Sequence, residues 1–260
     1  KMKKIIVISL GGSLIVPEKI NFRFLDNFKK TLEKHYKNYK FVIVCGGGTI
    51  ARKYISALEK EGKSKKELSI AGIRATRMNA LFMMQFFGKD ANESLPINME
   101  EVKNHLPKNA IVICGALRYT EKSTSDSTAA NLAKFLNTNF INMTNVKGLY
   151  TDNPKNNPRA EFISKISWKD FEDKALKIKY KVGQNFVLDQ SAAVLIRKHK
   201  IKTYILGEDL RNLDNTIPDG IYKVTYRFTL LSSGQKVSVT QYIPCTCAID
   251  CCINKQLLTL

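Results

Sequence analysis

The 260-residue sequence predicts an α/β fold built on a buried parallel sheet. Three observations carry that expectation. Lys4 to Leu10 (KIIVISL) is a continuous β-branched run followed at once by Gly11-Gly12-Ser13. Phe41 to Cys45 (FVIVC) is a second such run, followed by Gly46-Gly47-Gly48 and a helical pattern. Ala110 to Cys114 (AIVIC) is a third, ended by Gly115. Apolar runs without polar alternation belong to strands covered on both faces, as in parallel sheets. Repeated strand–glycine–helix joints are the signature of α/β architecture.

The remaining elements follow in order. Phe24, Leu25, Phe28 and Leu32 share one side of a helix expected over Phe22 to Tyr36. Thr49 is the expected cap of a helix reaching about Lys60. Glu67 to Phe87 reads as a longer helix whose Met and Phe residues serve the core or a subunit contact. Ser123 to Ser127 is a hydroxyl-rich turn leading into a helix over Ala129 to Leu136. Asn139 to Met143 is a strand, and Asp152 to Pro158 can only be loop. Ser167 caps a short helix with Trp168 and Phe171; Asp189 to Lys198 is a helix and Lys202 to Leu206 a late strand. From Thr225 on, the alternation is that of hairpin strands.

Composition narrows the class. With 44% hydrophobic and 25% charged residues the chain can bury a core, which excludes a disordered protein. No apolar run approaches the ~20 residues of a membrane helix, and Lys1 to Leu10 reads as a strand, not a signal peptide. The net charge of +19 is spread over the body of the chain, since Thr229 onward contributes only Lys236, Lys255 and Asp250. A spread excess is a solvated surface more often than a nucleic-acid face, and no aromatic-interleaved basic motif points to specific nucleic acid. Cys45 and Cys114 end apolar runs as free thiols, which with the absence of a leader suggests a reducing cytoplasm. Cys245, Cys247, Cys251 and Cys252 crowd the tail without a standard zinc spacing, so no metal site is expected.

The carboxyl ends of parallel strands share one edge, where ligands bind. Glycine there lets backbone N–H groups approach an anion, and the following helices add positive dipole ends. The local chemistry is phosphate binding, although neither G-x-x-x-x-G-K-[ST] nor a complete G-x-G-x-x-G is present. Phosphoryl transfer suits such an edge, because it needs two phosphates held in line and their charge neutralised. Acyl or hydrolytic chemistry suits it less, since His35, His105 and His199 all lie away from the glycine loops.

The ordered segments GGSL, CGGGTIARKYI, AGIRATRMNA, TSDSTAANLAKFL, TNVKGLYTDNPK and VLDQSAAVLI together resemble the amino-acid-kinase superfamily, and within it the archaeal-type UMP kinases. The resemblance runs from about Lys3 to Tyr226. It implies a kinase domain over 1–228 and an extension over 229–260. It implies a three-layer α/β/α sandwich, transfer of the ATP γ-phosphate to UMP, Mg²⁺, and a homohexamer. Carried over by motif, Gly12, Ser13, Gly48, Arg52, Thr144, Tyr150 and Asn153 would serve ATP. Gly47, Ser69, Thr124, Ser125 and Asp126 would serve UMP, with Arg52 and Asp126 as the catalytic pair. Four positions depart from the pattern: Ser9 stands where many relatives carry lysine, and Ser69, Lys147 and Asn153 stand where acids are usual. The alternatives are a related kinase acting on a carboxylate or small phosphate, and a nucleotide-binding homologue without turnover.

Overall fold

A computed structural model describes residues 3–119, 124–152, 154, 157–177, 188–219, 221–229, 236–244 and 248–249. The first half of the chain supplies β1 (Lys4–Leu10), α1 (Gly12–Ile15), α2 (Phe22–Glu33), β2 (Tyr39–Cys45), α3 (Gly48–Lys60), α4 (Lys65–Phe87), α5 (Met99–His105) and β3 (Ile111–Cys114). The second supplies α6 (Ser125–Phe135), β4 (Phe140–Met143), β5 (Lys165–Ile166), α7 (Trp168–Leu176), α8 (Gln190–His199), β6 (Thr203–Leu206), α9 (Leu210–Asp219), β7 (Ile221–Thr229), β8 (Lys236–Pro244) and β9 (Ala248–Ile249).

The main sheet runs β3-β2-β1-β4-β6-β9-β5. Its five long-paired strands, β3 to β6 in that order, are all parallel. Only the two-residue β9 is antiparallel to its neighbour β6. Alternate residues of β1 feed two cores. Ile6, Ile8 and Leu10 pack with Leu25, Phe28 and Leu32 of α2, Met83 and Phe87 of α4, and Leu213 of α9. Val7 packs on the other face with Val102 of α5, Ala129 and Ala133 of α6, Phe171 of α7 and Ile196 of α8. The three layers expected from the resemblance are therefore present. A third cluster of Ala51, Ile55, Leu68 and Ala75 joins α3 to α4.

Several boundaries differ from expectation. Thr49 does not cap α3: the helix opens at Gly48 behind Gly47, with no side-chain cap. The hydroxyl-rich turn is already helix, because Thr124 caps α6 and Ser127 returns a bond to the Thr124 amide. α5 and α9 were not anticipated; α5 has a capping Asn98 and acidic Glu100 and Glu101, but only 7 residues. The hairpin begins at Ile221 and pairs nine residues of β7 with β8. The four tail cysteines lie outside the described residues, whereas Cys45 and Cys114 are free and buried. No helix among the described residues is long and apolar enough to cross a membrane.

Candidate active site

The register sets the site. Leu10 lies level with Cys45 on β2 and Met143 on β4, and Met143 with Leu206 on β6. Four loops therefore leave the sheet at one height. Two of them touch glycine to glycine. A Cβ on Gly12 would lie 2.2 Å from the Gly48 nitrogen and 2.6 Å from the Gly46 oxygen. Gly48 itself has φ +57°, and a Cβ there would lie 2.4 Å from the Gly12 carbonyl carbon. No side chain can be added at either position without displacing backbone. The predicted meeting of Gly12 and Gly47–Gly48 at one sheet edge is thus observed.

The helices that start there are exceptional. α2, α4, α5, α6, α7 and α8 each begin with a side-chain cap, from Asn21, Ser64, Asn98, Thr124, Ser167 and Asp189. α1 and α3 have none. The opening amides of a helix find no acceptor inside it, so those of Gly12, Ser13, Gly48 and Thr49 have neither a helical acceptor nor a side-chain cap. Such amides, with the dipole behind them, suit an anion.

Arg52 joins the two loops. Its Nη2 donates to Ser13 Oγ at 3.3 Å and to Thr49 Oγ1 at 3.0 Å. Among the described residues no carboxylate pairs with it, and burial holds its guanidinium below the usual arginine range, still cationic. An arginine held by two hydroxyls keeps its charge for a ligand.

The opposite wall is the start of α6. Thr124 and Ser125 are half-buried there, and Asp126 accepts a hydrogen bond from Ser9 Oγ at 2.8 Å. Burial, then the charge of Asp189, pushes the Asp126 carboxyl up to about 7, against the Ser9 donation. Thr124 Oγ1 donates to Asp189, which is buried at the head of α8.

Thr144 lies beside the first loop: its amide donates to Leu206 O at 2.9 Å, and a Cβ on Gly11 would meet its Cα at 3.8 Å. Tyr150 stacks edge-on against Phe162 at 5.5 Å, walling the loop after β4. Lys147 is exposed, with its Cα against Gly207. Asn153 lies outside the described residues. Ser69 is not joined by a hydrogen bond to the other site residues; its hydroxyl donates to Lys65 O at 2.9 Å in its own helix.

Four supporting residues escaped the sequence reading. Buried Asn79 donates from Nδ2 to Gly46 O at 2.7 Å and fixes the second glycine loop from behind. Thr76 Oγ1 accepts from the Ala116 amide at 2.9 Å, and Arg77 donates to Ala116 O and Leu117 O, so α4 also holds the segment after β3. Asp189 is the fourth. Asn79 and Thr76, polar residues in the Met- and Phe-rich helix, carried a faint signal.

Fold and edge together define an α/β protein whose two glycine loops meet, ahead of two uncapped helix starts, at the carboxyl edge of a parallel sheet. Residues 4–207 match the model of the amino acid kinase family. The chain is 33% identical to the uridylate kinase of Pyrococcus abyssi over 204 residues, covering 78% of this chain and 90% of that protein. The crystal structure of uridylate kinase from Archaeoglobus fulgidus superimposes with TM-score 0.71 at 31% identity, covering 84% of this chain and 96% of that one. The UMP kinase of Bacillus anthracis, at 20% identity and TM-score 0.64, shares the fold. The chain belongs to the amino acid kinase family.

Proposed function

We propose that this chain is an ATP-dependent kinase that transfers the γ-phosphate of ATP to UMP, giving UDP for pyrimidine nucleotide synthesis. Relatives named uridylate kinase align over most of their own length, which favours this acceptor over a carboxylate or another small phosphate. The observation that carries the chemistry is Arg52, which touches both glycine loops at once. A cation at that junction neutralises charge passing between two phosphates, and the open amides need no reorganisation to do the same.

In this reading Gly12, Ser13, Gly48 and Arg52 hold the ATP phosphates, and Thr144, Tyr150 and Asn153 border its nucleoside. Gly47, Thr124, Ser125 and Asp126 face UMP, with Ser69 near its ribose. Among the described residues no three His, Cys, Asp or Glu side chains gather at one point. Mg²⁺ would be held chiefly by phosphate oxygens and water. Bound there, it would neutralise phosphate charge. Residues 1–228 form the kinase domain, and 229–260 an extension.

Exposed Met78 and Leu81 on α4 support assembly of copies into a hexamer, and the buried free thiols support a cytoplasmic setting. ADP release with ATP and Mg²⁺ over UMP, CMP, acetylglutamate and isopentenyl phosphate tests the acceptor. UMP is expected to react fastest; inert UMP beside a reactive alternative overturns it. Light scattering on the eluting protein tests the hexamer.

A further inference from the structure

One turn of α4 bonds to the exits of two neighbouring strands. Val44 of β2 lies level with Cys114 of β3, and Gly46 and Ala116 each come two residues later. Buried Asn79 donates from Nδ2 to Gly46 O at 2.7 Å. Buried Thr76 lies against both exits at once. A Cβ on Gly47 would meet its Cγ2 at 3.5 Å, and a Cβ on Gly115 would lie 2.7 Å from its Oγ1. That hydroxyl accepts from the Ala116 amide at 2.9 Å and donates to Ile73 O at 2.7 Å. Arg77 completes the turn: Nε donates to Ala116 O at 3.1 Å, and Nη2 donates to Leu117 O.

Arg77 is not needed to hold the strand. β3 is the edge of the main sheet, and its outer side is already covered. Buried Asn92 donates to Ile113 O at 3.0 Å and accepts from the Ile113 amide at 2.6 Å. Arg77 acts further along, on chain that has left the sheet. Among the described residues no Asp or Glu pairs with it. Two successive carbonyls on one planar guanidinium fix both the place and the orientation of the segment. Ala116 and Leu117, both buried, lead by way of Arg118 and Tyr119 toward Thr124 and Ser125. In the reading above those two hydroxyl residues face UMP, as does Gly47 on the other exit.

We propose that Arg77 is a positioning residue for the phosphoryl acceptor. Through Ala116 and Leu117 it holds the segment after β3 in register with Gly47, so that a nucleoside monophosphate meets its phosphate-binding loop and its hydroxyl-rich wall at one fixed spacing. The donor side, built on Gly12, Ser13 and Arg52, does not depend on this bond. The proposal rests on the kinase reading.

The test compares the full chain with Arg77→Met and Arg77→Lys. Steady-state ADP release gives KM for UMP at saturating ATP, and KM for ATP at saturating UMP. In Arg77→Met the KM for UMP is expected to rise about tenfold, because two charge-assisted bonds to the segment are lost. The KM for ATP is expected to stay within about twofold. Arg77→Lys reaches one carbonyl where arginine reaches two, so its KM for UMP should fall between; it also carries the test if Arg77→Met does not fold. A merely structural role would lower Tm without separating the two substrates. Hydrogen exchange, read by mass spectrometry over residues 115–119, is expected to quicken about tenfold in the variants that lose the fork. An unchanged KM for UMP, equal rises in both KM values, or unchanged exchange overturns the proposal. A full chain that phosphorylates no acceptor would instead sink the kinase reading, and the exchange rates would still decide whether Arg77 holds the segment.

Discussion

Asp126 illustrates how a single residue can serve function against stability. Its carboxyl is raised from 3.8 to about 7 by burial and by Asp189. The native state therefore binds more protons than the unfolded chain between those values. Its contribution is full below the unfolded value and is lost as pH rises through about 7. Asp126→Asn, which needs no proton, is expected to raise Tm at pH 8 and leave it nearly unchanged at pH 4 while turnover falls; equal shifts at both pH values would contradict this. Arg52 makes the complementary case. Its two bonds go to surface-reachable hydroxyls, so Arg52→Met should cost little stability. Its loss should lower kcat by about 10²-fold, in line with removal of one preorganised charge donor, as read by steady-state ADP release. Gly48 combines both demands. At φ +57° and pressed on Gly12, Gly48→Ala should cost at least about 2 kcal/mol. Thermal melts would show it as a Tm drop of roughly 4–8 °C.

At the scale of elements, what the sequence showed and what it concealed differ by range of interaction. β1, β2, β3, β4 and β6 were legible because strands covered on both faces need unbroken apolar runs. The glycine loops were legible because no other residue fits them. α5 and α9 were missed: one is too short for a period, and the other carries Pro218 inside its last turn. The cap of α3 was misplaced because Thr49 has the right chemistry for a cap, whereas the helix opens one residue earlier and Thr49 serves Arg52. The role of α4 was hidden most completely. Its Asn79 reaches Gly46, 33 positions earlier, and Thr76 reaches Ala116, 40 positions later. Neither bond leaves a local pattern. Asn79→Ala orphans a buried carbonyl, at a cost of about 1–3 kcal/mol, and frees the second glycine loop. A lower Tm together with a lower kcat/KM is expected; unchanged kinetics in a folded variant would mean that the loop holds itself.

At the scale of the molecule, the site belongs to five strands and the connections above them. β3-β2-β1-β4-β6 carries both cores, and its four neighbouring carboxyl ends supply the two glycine loops, Thr144 and Gly207. The C-terminal extension enters this plan only at the margin. β8 pairs with β7 in a sheet of their own, and β9 adds two residues to the edge beside β6. No described site residue lies beyond Gly207. A chain ending at residue 228 therefore keeps every group proposed to hold nucleotide. Distant, independent parts contribute additively, so its KM values for ATP and UMP should stay within about twofold of the full chain. Its stability should fall, because β7 loses its nine-residue partner. Its solubility should fall as well, since unpaired strand edges invite association. Parallel measurement of ADP release, Tm and light scattering separates these effects. A folded, monodisperse truncation that no longer phosphorylates UMP would place part of the catalytic apparatus in the extension and redraw the domain boundary.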